Sequence, residues 1–262
     1  MPEPLKIPLR IAGMLSLAIA FFLLSCDNLD KDNPLDPQNP DSERNRIAVI
    51  EVFINDSDGE IIQSAVDGIL QLRREYGTGK VALLEHHIEK SHGTDVYALE
   101  TSLQRYLSYT LDSPQGLPHL FFDGPQHQAL GAFDKDIAYQ RYRNELEQRL
   151  SQPAHFTIEG SVQFLSGRAR VRADVARLGN EDAKNINIYA IFCEPVFGNE
   201  REVVRRIELL ESYSTLKKHQ VVDMDKTFSI PSNICQSKSK CVIIIQDSNT
   251  FEIHQSAVFL PA

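Results

Sequence analysis

Hydrophobic and polar positions follow different patterns in the two halves of this chain. In the first half, "RIAVIEVFI" (46–54) and "VALLEHHI" (81–88) are nearly continuous apolar runs, and between them apolar residues recur at helical spacing from Ile61 to Leu72. Such runs are typical of strands buried on both faces. A strand, a helix and a strand of this length predict a unit with two parallel strands.

The pattern continues with a second helical stretch, "DVYALETSLQRYLSYTL" (95–111). Two short apolar runs follow, "GLPHLFFDG" (116–124) and "QALGAF" (128–133), and a last helical stretch ends at Leu150. The order predicts an α/β domain over 46–152, with a central mixed sheet flanked by helices.

After Pro153 the chain changes to seven short strand-like runs separated by polar turns. One of them, "RARVRADVARL" (168–178), alternates arginines with small or apolar residues, as expected for a strand with one solvated face. Strands at this spacing predict an antiparallel β-sandwich of immunoglobulin-like type over 153–262.

The N-terminus precedes both regions and has the composition of an export signal. Lys6 and Arg10 are followed by the uncharged run "IAGMLSLAIAFFLL" and then by "SC". The run is shorter than the roughly 20 residues of a comfortable spanning helix, so a signal peptide over 1–25 is predicted. The ending "LLSC" resembles a bacterial lipobox, which implies cleavage before Cys26 and attachment of several acyl chains, palmitate among them, to that cysteine. An uncleaved anchor or a non-lipidated signal are the alternatives.

The segment 26–45 is dense in Asp, Asn and Pro and has few apolar residues. It cannot bury enough surface to offset its ordering entropy, so it is interpreted as a flexible tether between membrane and fold. Asp27 resembles an inner-membrane retention signal of enteric bacteria, and it weakly favours the inner membrane. The expected location is the cell envelope, lipid-anchored and facing the periplasm, with the choice of membrane open.

Charge and cysteine content limit the partners and the chemistry. The formal net charge is -9, which argues against nucleic acid as a partner. Beyond Cys26, the chain has Cys193, Cys235 and Cys241 in a compartment that permits disulfides. Cys235 and Cys241 flank the polar turn "QSKSK" and are the candidate disulfide pair.

"GLPHLFFDG" carries a resemblance to the thioredoxin fold, in which the strand after the second helix begins with a cis-proline. The resemblance implies that Pro118 is that proline and that Leu117, Pro118 and His119 form an edge able to pair with an extended peptide. "LLEHHIEKSHGTDVYALETSLQRY" and "CVIIIQDSNTFEIHQSA" are similar to parts of bacterial envelope lipoproteins that carry a thioredoxin-like domain followed by a β-sandwich. The resemblance thus covers most of the predicted mature chain.

The redox pair of that family is a C-x-x-C at the start of the first helix, where the helix dipole activates a thiolate. The two cysteine positions correspond to Asp58 and Ile61, and no cysteine lies between Asp27 and Phe192. Neither residue can exchange a disulfide, which puts the redox activity of the family in doubt here.

The loop "NDSDGE" that contains Asp58 has three interpretations. Ser57 and Glu60 have the spacing of a capping box at a helix start, which is the favoured one. A calcium loop is opposed by Ile54 and Ala65 at its first and last ligand positions. A catalytic carboxylate pair has no neighbouring acid, base or nucleophile in the sequence.

His86, His87, His92 and His119 are the remaining candidates for chemistry. His86 and His87 should point to opposite faces of a strand, so only one of them could join the other histidines around zinc. Scattered histidines are the favoured interpretation, and no metal or cofactor is expected.

The sequence therefore predicts a lipid-anchored envelope protein with a redox-inactive thioredoxin-like domain, acting as a binding or structural module on an envelope protein or peptide. An atypical thiol-disulfide oxidoreductase that uses Cys193, Cys235 or Cys241 is the alternative. A solute site in a cleft between the domains is a third class, which no particular residue supports.

Overall fold

The computed structural model describes most of the chain from Arg44 onward, namely residues 44–55, 59–88, 95–111, 113, 115–165, 167–196, 201–231, 234 and 237–261. Several sequence predictions lie outside these residues: the signal segment, Cys26, Asp27, nearly all of the tether, Asp58, Ser57, His92 and Cys235.

The described residues form three helices and eleven strands. The helices are α1 (Gly59–Tyr76), α2 (Glu100–Thr110) and α3 (Lys135–Leu150). The strands are β1 (Ala48–Ile54), β2 (Val81–His87), β3 (His119–Phe122), β4 (Gln128–Leu130), β5 (Phe156–Leu165), β6 (Arg168–Arg177), β7 (Ala183–Val196), β8 (Arg201–Leu216), β9 (Val221–Ser229), β10 (Lys240–Asp247) and β11 (Ile253–Phe259). The predicted order of helices and strands in the first half, and the strand-rich second half, are present.

Eight of the strands form one mixed sheet in the order β11-β10-β7-β8-β2-β1-β3-β4. β1 and β2 are parallel, as the strand–helix–strand pattern predicts, and β3 and β4 add to them antiparallel. The two halves of the sheet meet where Glu85 of β2 pairs in parallel with Val203 of β8.

Helices cover both faces of the N-terminal half of this sheet. Ile50 and Val52 of β1 pack in a core with Tyr142 of α3 and with the apolar stripe of α1. On the opposite face, Phe53 of β1 packs with Tyr106 of α2. Every residue of β1 is buried, which explains its continuous apolar pattern.

The second sheet has three strands in the order β5-β6-β9. Val171 and Val175 of β6 share a core with Ile188 of β7 and Ile243 of β10, so this sheet packs against the C-terminal half of the large one. Arg168, Arg170 and Arg172 lie on the other side of β6 and are at least partly exposed, as their alternation in the sequence predicts, whereas Arg177 at the end of the strand shares the side of Val175.

Residue 153 separates the two patterns in the sequence, but the large sheet continues across it. β7, β8, β10 and β11 extend the sheet that β1–β4 begin. β8 connects the two parts of the sheet. It is 16 residues long, and its first residue, Arg201, forms an ion pair at 2.6 Å with Glu85 of β2, which holds the start of β8 beside β2. A separate immunoglobulin-like sandwich stays a prediction.

Candidate functional site

The start of α1 lies beside the Leu117–Pro118 peptide bond, which is cis. Ile61 and Pro118 both contact Gly131, since a Cβ on Gly131 would lie 2.8 Å from Ile61 Cγ2 and 2.5 Å from Pro118 Cγ. The Gly131 N–H donates to the Pro118 carbonyl at 2.9 Å. Ile61, which the resemblance predicts to stand at the second redox position, therefore takes part in a close apolar contact.

Exposed apolar side chains surround this contact. Leu130, Phe133 and Ile137 are 41%, 78% and 56% exposed. The Ser64 hydroxyl of α1 donates to the Phe133 carbonyl at 2.8 Å and so holds this segment against α1. We call the exposed Leu130, Phe133 and Ile137, together with the half-buried Ile61 and the buried Pro118, the Pro118 surface. It includes β4, which is the last strand of the large sheet among the described residues.

His119 follows Pro118, but its ring is already engaged. Its Nε2 lies 2.7 Å from Gln128 Oε1 and its Nδ1 lies 3.3 Å from Tyr106 Oη. Burial lowers the pKa of His119, and the hydrogen bond to Gln128 offsets part of this shift. The ring is thus a buried, hydrogen-bonded group that helps to fix β3 against β4 and α2.

A buried polar network lies under α2, and we call Glu51, His86, Arg105, Tyr109 and Gln246 the Glu51 cluster. Arg105 donates to both carboxylate oxygens of Glu51, at 2.5 and 3.1 Å, and Tyr109 Oη donates to Glu51 Oε2 at 2.6 Å. Gln246 of β10 accepts from Arg105 at 3.1 Å and donates to Tyr109 Oη at 2.9 Å. The cluster thereby joins β1, β2, α2 and β10.

Glu51 and Arg105 carry opposite charges that stabilise each other inside this cluster. Burial alone would raise the pKa of Glu51, but Arg105 and His86 outweigh it and lower that pKa well below its usual range. Burial opposes the charge of Arg105 as well, and Glu51 outweighs it, so the pKa of Arg105 is raised. The two side chains are therefore a charged pair, as a bidentate arginine–carboxylate contact favours.

Ser102, His86 and Glu51 form a chain of hydrogen bonds in the serine–histidine–carboxylate order of a hydrolase triad. His86 Nε2 lies 3.0 Å from Glu51 Oε1 and His86 Nδ1 lies 3.1 Å from Ser102 Oγ. The carboxylate must accept, so Nε2 carries the hydrogen and Nδ1 accepts from the serine. Burial lowers the pKa of His86, in keeping with a neutral ring. All three residues are 0% exposed, so no substrate can reach the serine and the arrangement is structural.

His87 lies on the opposite face of β2 and is held between two carboxylates. Its Nε2 lies 2.7 Å from Glu85 Oε1 and its Nδ1 lies 2.6 Å from Asp95 Oδ2. Burial alone would lower the pKa of His87, but Glu85 and Asp95 outweigh it and raise that pKa. The two adjacent histidines do point to opposite faces, and their pKa values shift in opposite directions because their partners differ.

Asp123 anchors the N-terminal strands to α3 and β11. Its Oδ2 accepts from Arg46 at 3.0 Å and from Arg149 at 3.2 Å, and its Oδ1 accepts from the backbone of Val49 at 2.7 Å. Arg46 also donates to the carbonyl of Ile253 at 2.8 Å. This cluster crosses the predicted boundary between the domains.

The two described thiols are inaccessible. Cys193 of β7 and Cys241 of β10 are free and buried. Burial raises the pKa of Cys193 to about 12 and also raises the pKa of Cys241, so neither forms a thiolate near neutral pH. Cys235 lies outside the described residues, and the Cys235–Cys241 bridge stays a prediction.

The candidate histidines do not converge. In the part of the chain that the structure describes, no group of three or more His, Cys, Asp or Glu side chains is arranged to hold a metal ion. His92 lies outside that part. None of the described helices is both long and apolar enough to cross a membrane.

Sequence reasoning missed the Glu51 cluster, although one signal was present. Glu51 is the only charged residue in the apolar run "IAVIEVFI", and an acid in a fully buried strand requires a partner. The partners, Arg105 and Gln246, lie 54 and 195 positions away, too far for spacing to identify them.

Comparison with solved structures supports the overall fold. HBP35 of Porphyromonas gingivalis superposes with a TM-score of 0.59 and 12% identity, covering 83% of this chain and 77% of that one. A protein of Agrobacterium tumefaciens superposes with a TM-score of 0.52 and 17% identity, covering 84% of this chain and 96% of that one. At these identities the two likenesses show a shared fold and nothing finer.

A third structure is a domain of the outer membrane lipoprotein Omp28 from Porphyromonas gingivalis. It covers 41% of this chain and 88% of its own, at 13% identity and a TM-score of 0.32, which is too low to carry an argument. No family model and no curated protein matches the sequence.

Proposed function

We propose that this protein is a lipid-anchored protein of the cell envelope, whose thioredoxin-like half has lost thiol chemistry and binds an envelope protein or peptide through the Pro118 surface. Cys26 would carry the lipid, with palmitate among its acyl chains. The tether would hold the fold off the membrane on the periplasmic side.

The close approach of both Ile61 and Pro118 to Gly131 is the observation that carries this proposal. An apolar side chain stands beside the proline where the resemblance expects the second redox cysteine. A thiol pair has no place in such a contact, whereas apolar residues are typical of a binding surface.

The exposure of the neighbouring side chains supports a binding role. Leu130, Phe133 and Ile137 lie close together in sequence and remain 41–78% exposed, although large apolar side chains are usually covered. β4 ends the described sheet, and its Leu130 carbonyl accepts from Arg141 of α3. An extended segment of a partner could pair with the rest of its outer side while its apolar residues cover Phe133 and Ile137.

The alternative, an atypical thiol-disulfide oxidoreductase, would need an accessible thiolate. Cys193 and Cys241 are buried and their pKa values are raised, which argues against either as the attacking group. Cys235 would then have to act without either of the two described thiols, which are both buried.

Site-specific photocrosslinking in the native envelope tests the binding role. A crosslinker at Ile137 should give a discrete adduct, and Phe133→Asp in the same chain should abolish it. The matched control is a crosslinker at Val221, which is 54% exposed on β9, far from Pro118 in sequence, and should give no adduct. The same adduct from both positions, or an Ile137 adduct that survives Phe133→Asp, would rule out the Pro118 surface as the binding site.

The anchor has its own test. Cys26→Ser should release the protein from the membrane fraction, because the acyl chains supply most of the membrane affinity. If the Cys26→Ser protein stays with the membrane, the lipidation proposal is wrong while the binding surface can still be correct.

A further inference from the structure

Three adjoining cavities lie where the two halves of the molecule meet. They have volumes of about 400, 480 and 550 Å³, and Arg46 and Pro153 line all of them. The cavity of about 400 Å³ is lined by His155 and its neighbours and by residues at the ends of several strands. Its volume lies within the size range of small-ligand sites. We call it the junction cavity.

Nitrogen-bearing side chains dominate the wall of the junction cavity. Its cationic and imidazole residues are Arg46, His155, Arg177, Lys184 and His254, and its acids are Asp182 and Asp247. The ring of Phe156 contacts two of these nitrogen-bearing side chains. Arg177 lies over this ring at 4.9 Å, and His254 stacks on it with ring centroids 5.8 Å apart.

Two cations of the cavity wall, Arg177 and Lys184, form no hydrogen bond or ion pair with a carboxylate among the described residues. Arg177 donates to the carbonyls of Glu181 and His155, at 3.0 and 2.9 Å, and to no carboxylate among the described residues. Burial lowers the pKa of Arg177, and the nearby acids offset this only in part. Lys184 is exposed at the rim and has no ion pair in the described part of the chain.

His155 adds a second and independent observation. Its Nδ1 is buried and has no hydrogen-bond partner among the described residues. Buried polar atoms in folded proteins are nearly always paired, so an orphan nitrogen on a cavity wall indicates a missing partner. A ligand with oxygen atoms would supply that partner.

The two acids of the wall are engaged in turns. Asp182 Oδ1 accepts from the backbone of Lys218 at 2.8 Å. Asp247 Oδ1 accepts from the backbone of Asn249 at 2.7 Å and of Thr250 at 2.8 Å. Neither acid forms an ion pair with Arg177 or Lys184 among the described residues, although Asp182 lies near enough to raise the pKa of Arg177 in part.

We propose that the junction cavity binds a small molecule through an oxyanion group, a phosphate or a carboxylate, held by Arg177, Lys184 and His155. Guanidinium and ammonium groups form their strongest contacts with such oxyanions. The site is separate from the Pro118 surface and does not depend on the binding role proposed there.

Calorimetric titration of the full-length protein in non-ionic detergent tests this site. Inorganic phosphate and succinate are titrated separately, with chloride adjusted to keep the ionic strength constant. At least one of them should bind saturably at one site. Saturation by phosphate alone identifies a phosphate group as the ligand chemistry, and saturation by succinate alone identifies a carboxylate.

Substitutions then locate the site. Arg177→Gln and Lys184→Gln should each weaken binding at least about tenfold, because each removes a charge-assisted hydrogen bond. The matched control is Arg168→Gln, an exposed arginine on the same strand as Arg177, which should bind like the original protein. If Arg177→Gln does not fold, Lys184→Gln decides the outcome, since Lys184 is exposed.

Three results would overturn the proposal. The first is a titration in which neither anion saturates up to about 10 mM, a range that includes weak specific binding. The second is a Lys184→Gln protein that binds the anion as tightly as the original protein. The third is an Arg168→Gln protein whose binding is weakened as much as that of Lys184→Gln, which would show general attraction of anions to the surface.

Discussion

The Glu51 cluster and the junction cavity are both rich in charged side chains, yet their charges are balanced differently. In the Glu51 cluster, Glu51 and Arg105 pair through two hydrogen bonds, and Gln246 completes the network. In the junction cavity, Lys184 has no ion pair among the described residues and Arg177 contacts backbone carbonyls only. The difference suggests that the first region stabilises the fold, and that the second is open to a ligand.

The largest expected effect is the loss of Arg105. Arg105→Met leaves the carboxylate of Glu51 buried without its cation, so we expect the free energy of unfolding to fall by about 3–5 kcal/mol. Denaturant unfolding of the full-length protein measures the loss. The matched control is Arg168→Met, a change of an exposed arginine, which should alter the free energy of unfolding by no more than about 0.5 kcal/mol. If Arg105→Met also lowers it by no more than about 0.5 kcal/mol, the cluster does not have a stabilising role.

Tyr109→Phe should cost less, because the charged pair of Glu51 and Arg105 remains. The hydroxyl donates to Glu51 and accepts from Gln246, so its removal leaves buried polar groups one partner short, at about 1–3 kcal/mol. Tyr76→Phe is the control, since its hydroxyl bonds on the exposed surface. Equal losses of unfolding free energy for the two variants would mean that burial of the network adds nothing to the stability of the protein.

His87 should give the protein a dependence on pH. Because its folded pKa is raised, its contribution is fully present below the unfolded value of about 6.5 and is lost as pH rises through the folded pKa. The stability difference between the original protein and His87→Gln should therefore narrow between mildly acidic and alkaline pH. Urea unfolding over that range measures it, and a difference that stays constant or widens would exclude a charged His87.

Lys184→Gln should have the smallest effect on stability. Lys184 is exposed and unpaired within the described chain, so the free energy of unfolding should change by no more than about 0.5 kcal/mol. The same variant should lose phosphate or succinate binding if the junction cavity is a ligand site. A large loss of stability would instead place Lys184 with the structural residues.

Local pattern predicted much of this fold. β1 appears in the sequence as a continuous apolar run because all seven of its residues are buried. Because successive residues of a strand point to opposite faces, the sequence predicted that His86 and His87 face opposite sides, and their contacts agree. Periodicity succeeds at these positions because it reflects burial directly.

Long-range pairing could not be predicted from the sequence. The parallel contact of β2 with β8 joins Glu85 to Val203, and nothing near either residue encodes the other. The same holds for the junction cavity, whose wall combines residues from Arg46 to His254. A single sequence shows which residues are unusual, such as Glu51, but only the fold shows which of them remain without a partner.

The central proposal is that this protein has lost the thiol chemistry of the thioredoxin-like proteins it resembles. The most direct measurement is the rate at which the full-length protein accelerates the reduction of insulin by dithiothreitol, beside a variant with Cys193→Ser, Cys235→Ser and Cys241→Ser. We predict that neither protein exceeds the uncatalysed rate. Acceleration by the original protein that the triple variant lacks would contradict the claim and would establish the oxidoreductase alternative.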